Sequence, residues 1–411
     1  MTQMSTPTER ASRQVRSARV NRRPPSFVAI LIAFAIIFAL AWMFFVRSGS
    51  SVPTPEVSAV QGTYSWQPAP GATEQKGSFS AVAAGNAGGS AQDPQAETSL
   101  GLVAPRSAYE AATRTQTTYS GKGIGRLERV VGEWPPVWRV ATRSPLDYQG
   151  LSAIVRAAVE DGDHAVGIKP LKQGDRTVWR AAMRMDGKVI DVVVDQKTGI
   201  VTWESNGTET FTANVDWASP PPAGATYSVD APAGTPAKTM TDDTVTYAAS
   251  PATAGKAAGY DPLVSDLAPD GFKIKAVATW KTDYTPVQWL SDKVIGLPIA
   301  GPREPLVAQL STRGLSWFTT EQIGPKAMKT LGPQLGDLLA DVKATQLSFQ
   351  ETTLQYGALK GRTASTWYQP SGPSLFVMGA RRAVFVTGAL TRQELIAYAE
   401  GLKPVPTAAR P

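Results

Sequence analysis

The sequence contains no cysteine and a single histidine, His164. The first absence excludes disulfides, thiol chemistry and a lipid-modified N-terminal cysteine. The second excludes a metal site built from several histidines and a proton relay between two imidazoles. An excess of positive charge is absent from most of the chain, although the formal net charge is +7. Residues 1–47 hold +6 of it, from Arg10, Arg13, Arg16, Arg19, Arg22, Arg23 and Arg47 against Glu9. The rest of the chain carries +1, too little for a phosphate-backbone footprint, so no nucleic-acid partner is expected. Long hydrophobic runs are also scarce, and one stands out.

That run is Phe27–Val46, without charge, proline or glycine. At ~1.5 Å per residue it would extend roughly 30 Å as a helix, the thickness of a bilayer's hydrocarbon core. Six arginines precede it and Arg47 follows it, which orients the N-terminus to the cytoplasm. A cleaved signal peptide is the alternative, with a small-residue site around Ser58 and Ala59. Signal cores usually span ~7–15 residues, so the longer run favours a retained signal anchor. The expectation is a single-pass protein of the cell membrane, integral through this helix, with most of the chain extracytoplasmic.

Composition divides the chain further. Residues 1–26 read as a basic cytoplasmic tail and 27–46 as the transmembrane helix. Residues 47–100 read as a flexible Ala/Gly/Ser/Pro linker, in which Gly62–Trp66 is an isolated strand candidate. A first α+β domain covers 101–232, a second linker 233–258, a second α+β domain 259–404, and a disordered tail 405–411.

The first domain opens with a predicted helix over Ala108–Thr115, followed by strands around Thr115–Gly121 and Gly123–Val131, and another over Trp138–Thr142. Leu151, Ile154, Val155, Ala158 and Val159 recur at helical spacing, predicting a helix over Gln149–Asp161. The strongest pattern follows. Trp179, Ala181, Met183 and Met185 alternate with Arg180, Ala182 and Arg184, and Asp186-Gly187 is a hairpin dipeptide. Ile190, Val192 and Val194 alternate next. Strands over 200–203 and 211–217 complete an antiparallel meander with one apolar face, which needs a helical cover. In the second domain, strands are predicted at 272–280, 306–311, 315–320, 346–356, 361–368, 374–379 and 383–387. Helices are predicted over Pro325–Val342 and from Thr391 to Leu402, the latter with a Thr391/Glu394 capping box.

Several stretches carry a family resemblance. Tyr119-Ser120-Gly121, Val178-Trp179-Arg180, the Asp191–Gly199 hairpin and the Pro220–Pro222 exit resemble the LolA-like superfamily of periplasmic lipoprotein carriers, with its LppX-like and RseB-type relatives. Leu267–Phe272 and Val384–Gly388 resemble the module that follows such a domain in RseB-like proteins. The resemblance implies an α+β fold: an N-terminal transmembrane helix followed by two antiparallel-sheet regions covered by a few helices, half-barrel-like. It implies a regulator of envelope-stress sigma factors or a lipid carrier, and brings no catalytic residue.

The residues themselves offer little chemistry. His164 follows Glu160, Asp161 and Asp163, and a pH sensor or metal ligand competes there with a solvated helix C-terminus, the simpler reading. Asp191 and Asp195 share a strand face and read as turn-stabilising carboxylates, and Asp337 and Asp341 as a solvated helix face. No motif calls for catalysis, a cofactor or a metal. If a cavity for an apolar ligand exists, its wall is Trp179, Met183, Met185, Ile190, Val192 and Val194, with core packing as the competing reading. The expectation is a membrane-anchored, non-enzymatic regulator that binds a membrane-proximal partner protein. The alternatives are carrier-like binding of a lipid or other apolar ligand, and a structural part of a membrane assembly.

Overall fold

The computed structural model describes residues 57–84, 87–94, 106–110, 115–120, 126–131, 149–162, 167–185, 188–218, 233–241, 245–269, 271–281, 304–314, 316–346, 348–369 and 372–407. They form two sheet lobes.

Lobe 1 is a twelve-stranded sheet. Its strands are β1 (Ala59–Gln67), β2 (Gln75–Ala84), β3 (Ala87–Pro94), β4 (Arg106–Glu110), β5 (Thr115–Ser120), β6 (Arg126–Val131), β7 (Lys169–Gln173), β8 (Arg176–Met185), β9 (Lys188–Asp195), β10 (Val201–Ser205), β11 (Thr210–Ala218) and β12 (Ala237–Thr241). The spatial order is β12-β6-β5-β4-β3-β2-β1-β11-β10-β9-β8-β7, antiparallel throughout except where β12 runs parallel to β6. One helix, α1 (Gln149–Asp161), covers the β8–β11 end. The predicted meander is present in register. Its alternation works as expected: Ala181, Met183, Val192, Val194 and Phe211 face Leu151, Ile154, Val155 and Ala158 of α1. The Tyr64 and Phe211 rings stack at 5.9 Å.

Three expectations differ here. The stretch read as linker contains β1, which includes the strand candidate Gly62–Trp66, and also β2 and β3, and β1 pairs with both β2 and β11. Small and polar residues suffice for these strands because a sheet already under way supplies the hydrogen-bond partners. The predicted helix at Ala108–Thr115 is replaced by β4 and the start of β5, whose ladder overrides a weak local propensity. The second linker stretch holds β12, strand β13 (Val245–Ala248) and helix α2 (Pro251–Ala258), capped by Ser250. The strand expected at Trp138–Thr142, and His164, lie outside the described residues.

Lobe 2 is an eight-stranded antiparallel sheet in the order β13-β15-β16-β17-β21-β20-β19-β18. These strands are β15 (Lys273–Trp280), β16 (Leu306–Arg313), β17 (Ser316–Ile323), β18 (Gln350–Thr353), β19 (Thr363–Gln369), β20 (Gly372–Met378) and β21 (Ala383–Gly388). A small pair, β14 (Leu263–Ser265) with β22 (Leu402–Pro404), lies beside it. Helix α3 (Pro325–Thr345) packs Met328, Leu331, Leu335 and Val342 on Trp367, Phe376 and Phe385. Helix α4 (Arg392–Glu400) packs Leu395, Tyr398 and Ala399 with Leu375, Val377, Val384 and Val386. The sheet is therefore covered on both faces. That is why β20 and β21 read as nearly continuous apolar runs rather than alternating ones. The Thr391/Glu394 capping box is formed.

Among the described residues, no helix is long and apolar enough to cross a membrane. The longest, α3, carries Lys326, Lys329, Asp337, Asp341 and Lys343, charges too costly for hydrocarbon. The expected fold class, which included a transmembrane helix over Phe27–Val46, is corrected to what the described residues show. The single-pass localisation, the integral-membrane partnership and the anchored-regulator function built on that helix have no spanning helix behind them among the described residues. Residues 27–46 themselves lie outside the described residues. What stands is an α+β chain of antiparallel sheets and a few helices.

Two measurements check this packing. Phe211 is fully buried in lobe 1, and Phe211→Ala should cost about 3–5 kcal/mol in urea unfolding. In lobe 2, burial pushes the Tyr398 phenol up to about 12, opposed by its hydrogen bond with Thr320. A raised phenol favours the neutral form in the folded state. Its contribution is intact below the unfolded value near 10 and is lost as pH rises through about 12. Stability should therefore fall between those limits, and Tyr398→Phe should remove part of that alkaline loss.

Candidate functional site

The face of lobe 1 turned away from α1 carries a groove of about 630 Å³. Cross-strand register builds its floor. Arg180 of β8 stands opposite Val193 of β9, Val193 opposite Trp203 of β10, and Trp203 opposite Thr212 of β11. Directly opposed residues share a face, so these four form one row across the sheet. Val178 and Asn214 extend the floor, and the β7–β8 hairpin contributes Leu171, Lys172 and Arg176.

A β-bulge decides what the floor presents. Val201 pairs with Val194 and belongs to the α1-facing core, so strict alternation would send Trp203 to the same side. One extra residue, Thr202, enters β10 between them. It turns Trp203 outward, where both Thr202 and Trp203 line the groove. The Arg180 guanidinium then lies 5.8 Å from the centre of the Trp203 ring, within cation–π range. Arg176 reaches across to the Val215 carbonyl at 3.4 Å.

The charge of the groove is one-sided. Lys172, Arg176 and Arg180 line it, and no acidic residue does. Asp195, opposite Val178, is 4% exposed and committed elsewhere. One of its carboxylate oxygens accepts from the Lys197 amide at 3.0 Å, the Thr198 amide at 2.8 Å and the Thr198 hydroxyl at 2.9 Å. It pins the turn after β9. Chemically the groove offers an apolar and aromatic floor with cations at its margin, a surface for holding a molecule rather than breaking one. Among the described residues, no group of three or more His, Cys, Asp or Glu could hold a metal.

The residues proposed as an apolar-ligand wall lie on the other face. Met183, Val192 and Val194 are buried against α1, with Trp179 and Ile190 packed at the edge of that core. The backbone of Met185 ends β8; its side chain lies outside the described set. The structure thus brings five of the six together, in contact with a helix. The groove residues Arg180, Val193 and Trp203 are the alternate set of the same strands. Sequence periodicity marked both sets, but the bulge that aims Trp203 outward has no strong local signature.

Behind the groove, α1 meets lobe 2. Arg156 is 3% exposed, donates to the Ala389 carbonyl, and stands 3.6 Å from the Glu394 carboxylate. Burial pushes its guanidinium below the usual arginine range, opposed by Glu394 and Glu160 and helped by Arg313. Arg392 is equally buried and pairs with Asp161 at 3.1 Å. It also donates to the Ser348 carbonyl at 2.8 Å and lies 4.9 Å over the Tyr368 ring.

No family model matches the chain, and no curated protein does. Solved structures are similar to it. The crystal structure of MucB in complex with MucA(peri) aligns with 89% of this chain and 99% of its own, at 11% identity and a TM-score of 0.27. MucB alone aligns with 89% and 98%, at 10% identity and 0.26. The Pseudomonas aeruginosa MucA/MucB complex aligns with 90% and 99%, at 11% identity and 0.26. At such TM-scores the likeness carries no argument about what this chain binds.

The two faces should respond differently to mutation. Met183→Ala should destabilise lobe 1 by about 2–5 kcal/mol, as a core truncation does. Arg180→Gln, on the open face, should stay within about 0.5 kcal/mol in the same unfolding assay.

Proposed function

We propose that this chain is a non-enzymatic binding protein whose lobe 1 groove takes an amphipathic ligand, a lipid or a comparable molecule with an apolar body and an anionic group. The observation that carries this reading is the lining of the groove. Val178, Val193, Leu171 and the Trp203 ring supply apolar contact, and Lys172, Arg176 and Arg180 supply cations with no lining acid to neutralise them. A ligand that covered the floor without an anionic group would leave those cations partly desolvated and unpaired, which is costly. A ligand that was anionic without an apolar body would leave the tryptophan face unused. Volume is consistent with the class: about 630 Å³ lies within the roughly 300–1,000 Å³ of small-molecule sites.

Carrier-like binding was one of the functions read from the sequence, with its site on the α1 side of the sheet. The groove on the opposite face is the better candidate, because the α1 side is occupied by packed side chains.

The test is titration of the purified chain with anilinonaphthalene sulfonate and with dodecyl phosphate, followed by tryptophan emission. Trp203→Ala should weaken both ligands by about ten-fold or more, the equivalent of ~1.4 kcal/mol. The Arg176→Gln/Arg180→Gln pair should weaken dodecyl phosphate more than dodecanol. Binding that is insensitive to all three substitutions, or that is displaced only by an extended peptide, would contradict the proposal.

A further inference from the structure

We infer that α1 is the arm of an ionic latch between the lobes, and that the state of this latch regulates the lobe 1 groove. The second half rests on the binding reading above; the first does not. The latch is two crossed ion pairs. Lobe 1 offers a cation, Arg156, and an acid, Asp161. Lobe 2 answers with an acid, Glu394, and a cation, Arg392. Both pairs join the same two helices, α1 and α4. The Tyr368 hydroxyl adds a contact to Asp161 at 3.4 Å, and its ring is counted in the lobe 1 core although it belongs to β19.

Three features make this a joint that opens rather than a fused core. First, beside the close approach of α1 to the apolar strand β20, the polar contacts that cross it are made by charged side chains, Arg156 with Glu394 and the Ala389 carbonyl and Arg392 with Asp161. A buried ion pair is no tighter than apolar packing of similar size, but it is specific in geometry and fails abruptly when one partner is lost. Second, the network is incompletely satisfied. Among the described residues, Nε and Nη1 of the buried Arg156 have no hydrogen-bond partner. A half-satisfied buried network lowers the cost of the alternative in which water reaches it. Third, the acid that receives Arg156 has a second use. Glu394 also accepts from the Thr391 amide at 2.8 Å to cap α4, so it stays ordered when the joint opens.

The same helix reaches the groove from behind. Leu151, Ile154, Val155 and Ala158 pack on Ala181, Met183, Val192 and Val194. These alternate along β8 and β9 with Arg180 and Val193 of the groove floor. Lobe 2 clamps α1 from the far side, and α1 in turn fixes the curvature of the strands that carry the floor. A clamped floor is preorganised; a released one must be ordered by the ligand at the expense of affinity. Closing the latch therefore tightens the groove, and by reciprocity an occupied groove favours the closed latch.

The cysteine-free sequence makes the test direct. Spin labels are placed on Lys197→Cys in lobe 1 and Lys360→Cys in lobe 2, both exposed, and the interlobe distance distribution is measured in the full chain. Asp161→Asn and Arg392→Lys are then introduced singly and together, with circular dichroism as the check on folding, and the groove is titrated with anilinonaphthalene sulfonate. The parent should give one narrow distribution. Each single substitution should broaden it, the double substitution should add little to either single, and the probe should bind at least about five-fold more weakly in all three. Distributions that stay narrow in every folded variant would overturn the latch. Broadening with unchanged probe affinity would overturn the regulation and leave the latch standing. Absence of probe binding to the parent would overturn the groove reading and the regulation together, while the distance data still decide the latch.

Discussion

The core of lobe 1 and its junction with lobe 2 both depend on the burial of α1. From Leu151 to Ala158 every residue but Ser152 is buried, on a helix of thirteen residues. An amphipathic helix covering one sheet leaves its outer side to water. This one has a second body against that side. The sequence solves the problem by giving α1 three surfaces: branched aliphatics toward β8–β11, small alanines where the elements approach closely, and Arg156 and Asp161 toward lobe 2. The apolar surface makes lobe 1 fold; the charged one specifies how lobe 2 is seated. Because both are on one rigid helix, neither lobe can shift without the other registering it.

Filling the α1 side of the sheet also bears on where the proposed ligand would go. A half-barrel that binds in its concavity must keep its helix away from the strands. Here Phe211, Met183 and the valines of β9 meet α1 directly, and the concavity is spent on stability. The groove lies on the opposite face, where an antiparallel sheet ordinarily shows only solvated polar groups. The bulge at Thr202 changes that face by adding a tryptophan to it, and the β7–β8 hairpin adds a rim of cations. A single inserted residue thereby converts a solvent surface into a groove.

Much of this was legible from residues alone. The meander from Trp179 to Trp217, the helix over 149–161, the α3 stripe and the Thr391 capping box each follow from period or local chemistry, and each formed. The strands of 75–94 were not legible, because SFSAVAA and AGGSAQDP lack the apolar density of a self-sufficient strand and draw their order from neighbours far away in sequence. The helix expected at 108–115 failed for the same reason in reverse: alanine-rich propensity is weaker than a ladder already formed on both sides. At the site, alternation separated Trp179, Met183 and Met185 from Arg180 and Arg184, and the apolar set was the expected wall. Packing by α1 is a tertiary fact that no periodicity reports, and the outward turn of Trp203 depends on a register shift of one residue.

The central claim is that the ligand lies on the Trp203 side of the sheet and not on the α1 side. Crystals of the chain grown with a brominated dodecyl phosphate test it most directly through the anomalous signal of bromine. The account predicts a peak over the Trp203 ring, between β10 and the Leu171–Arg176 hairpin, with the phosphate reaching Arg176 or Arg180. A peak between α1 and β8–β9, displacing Met183 or Val192 from that helix, would contradict it.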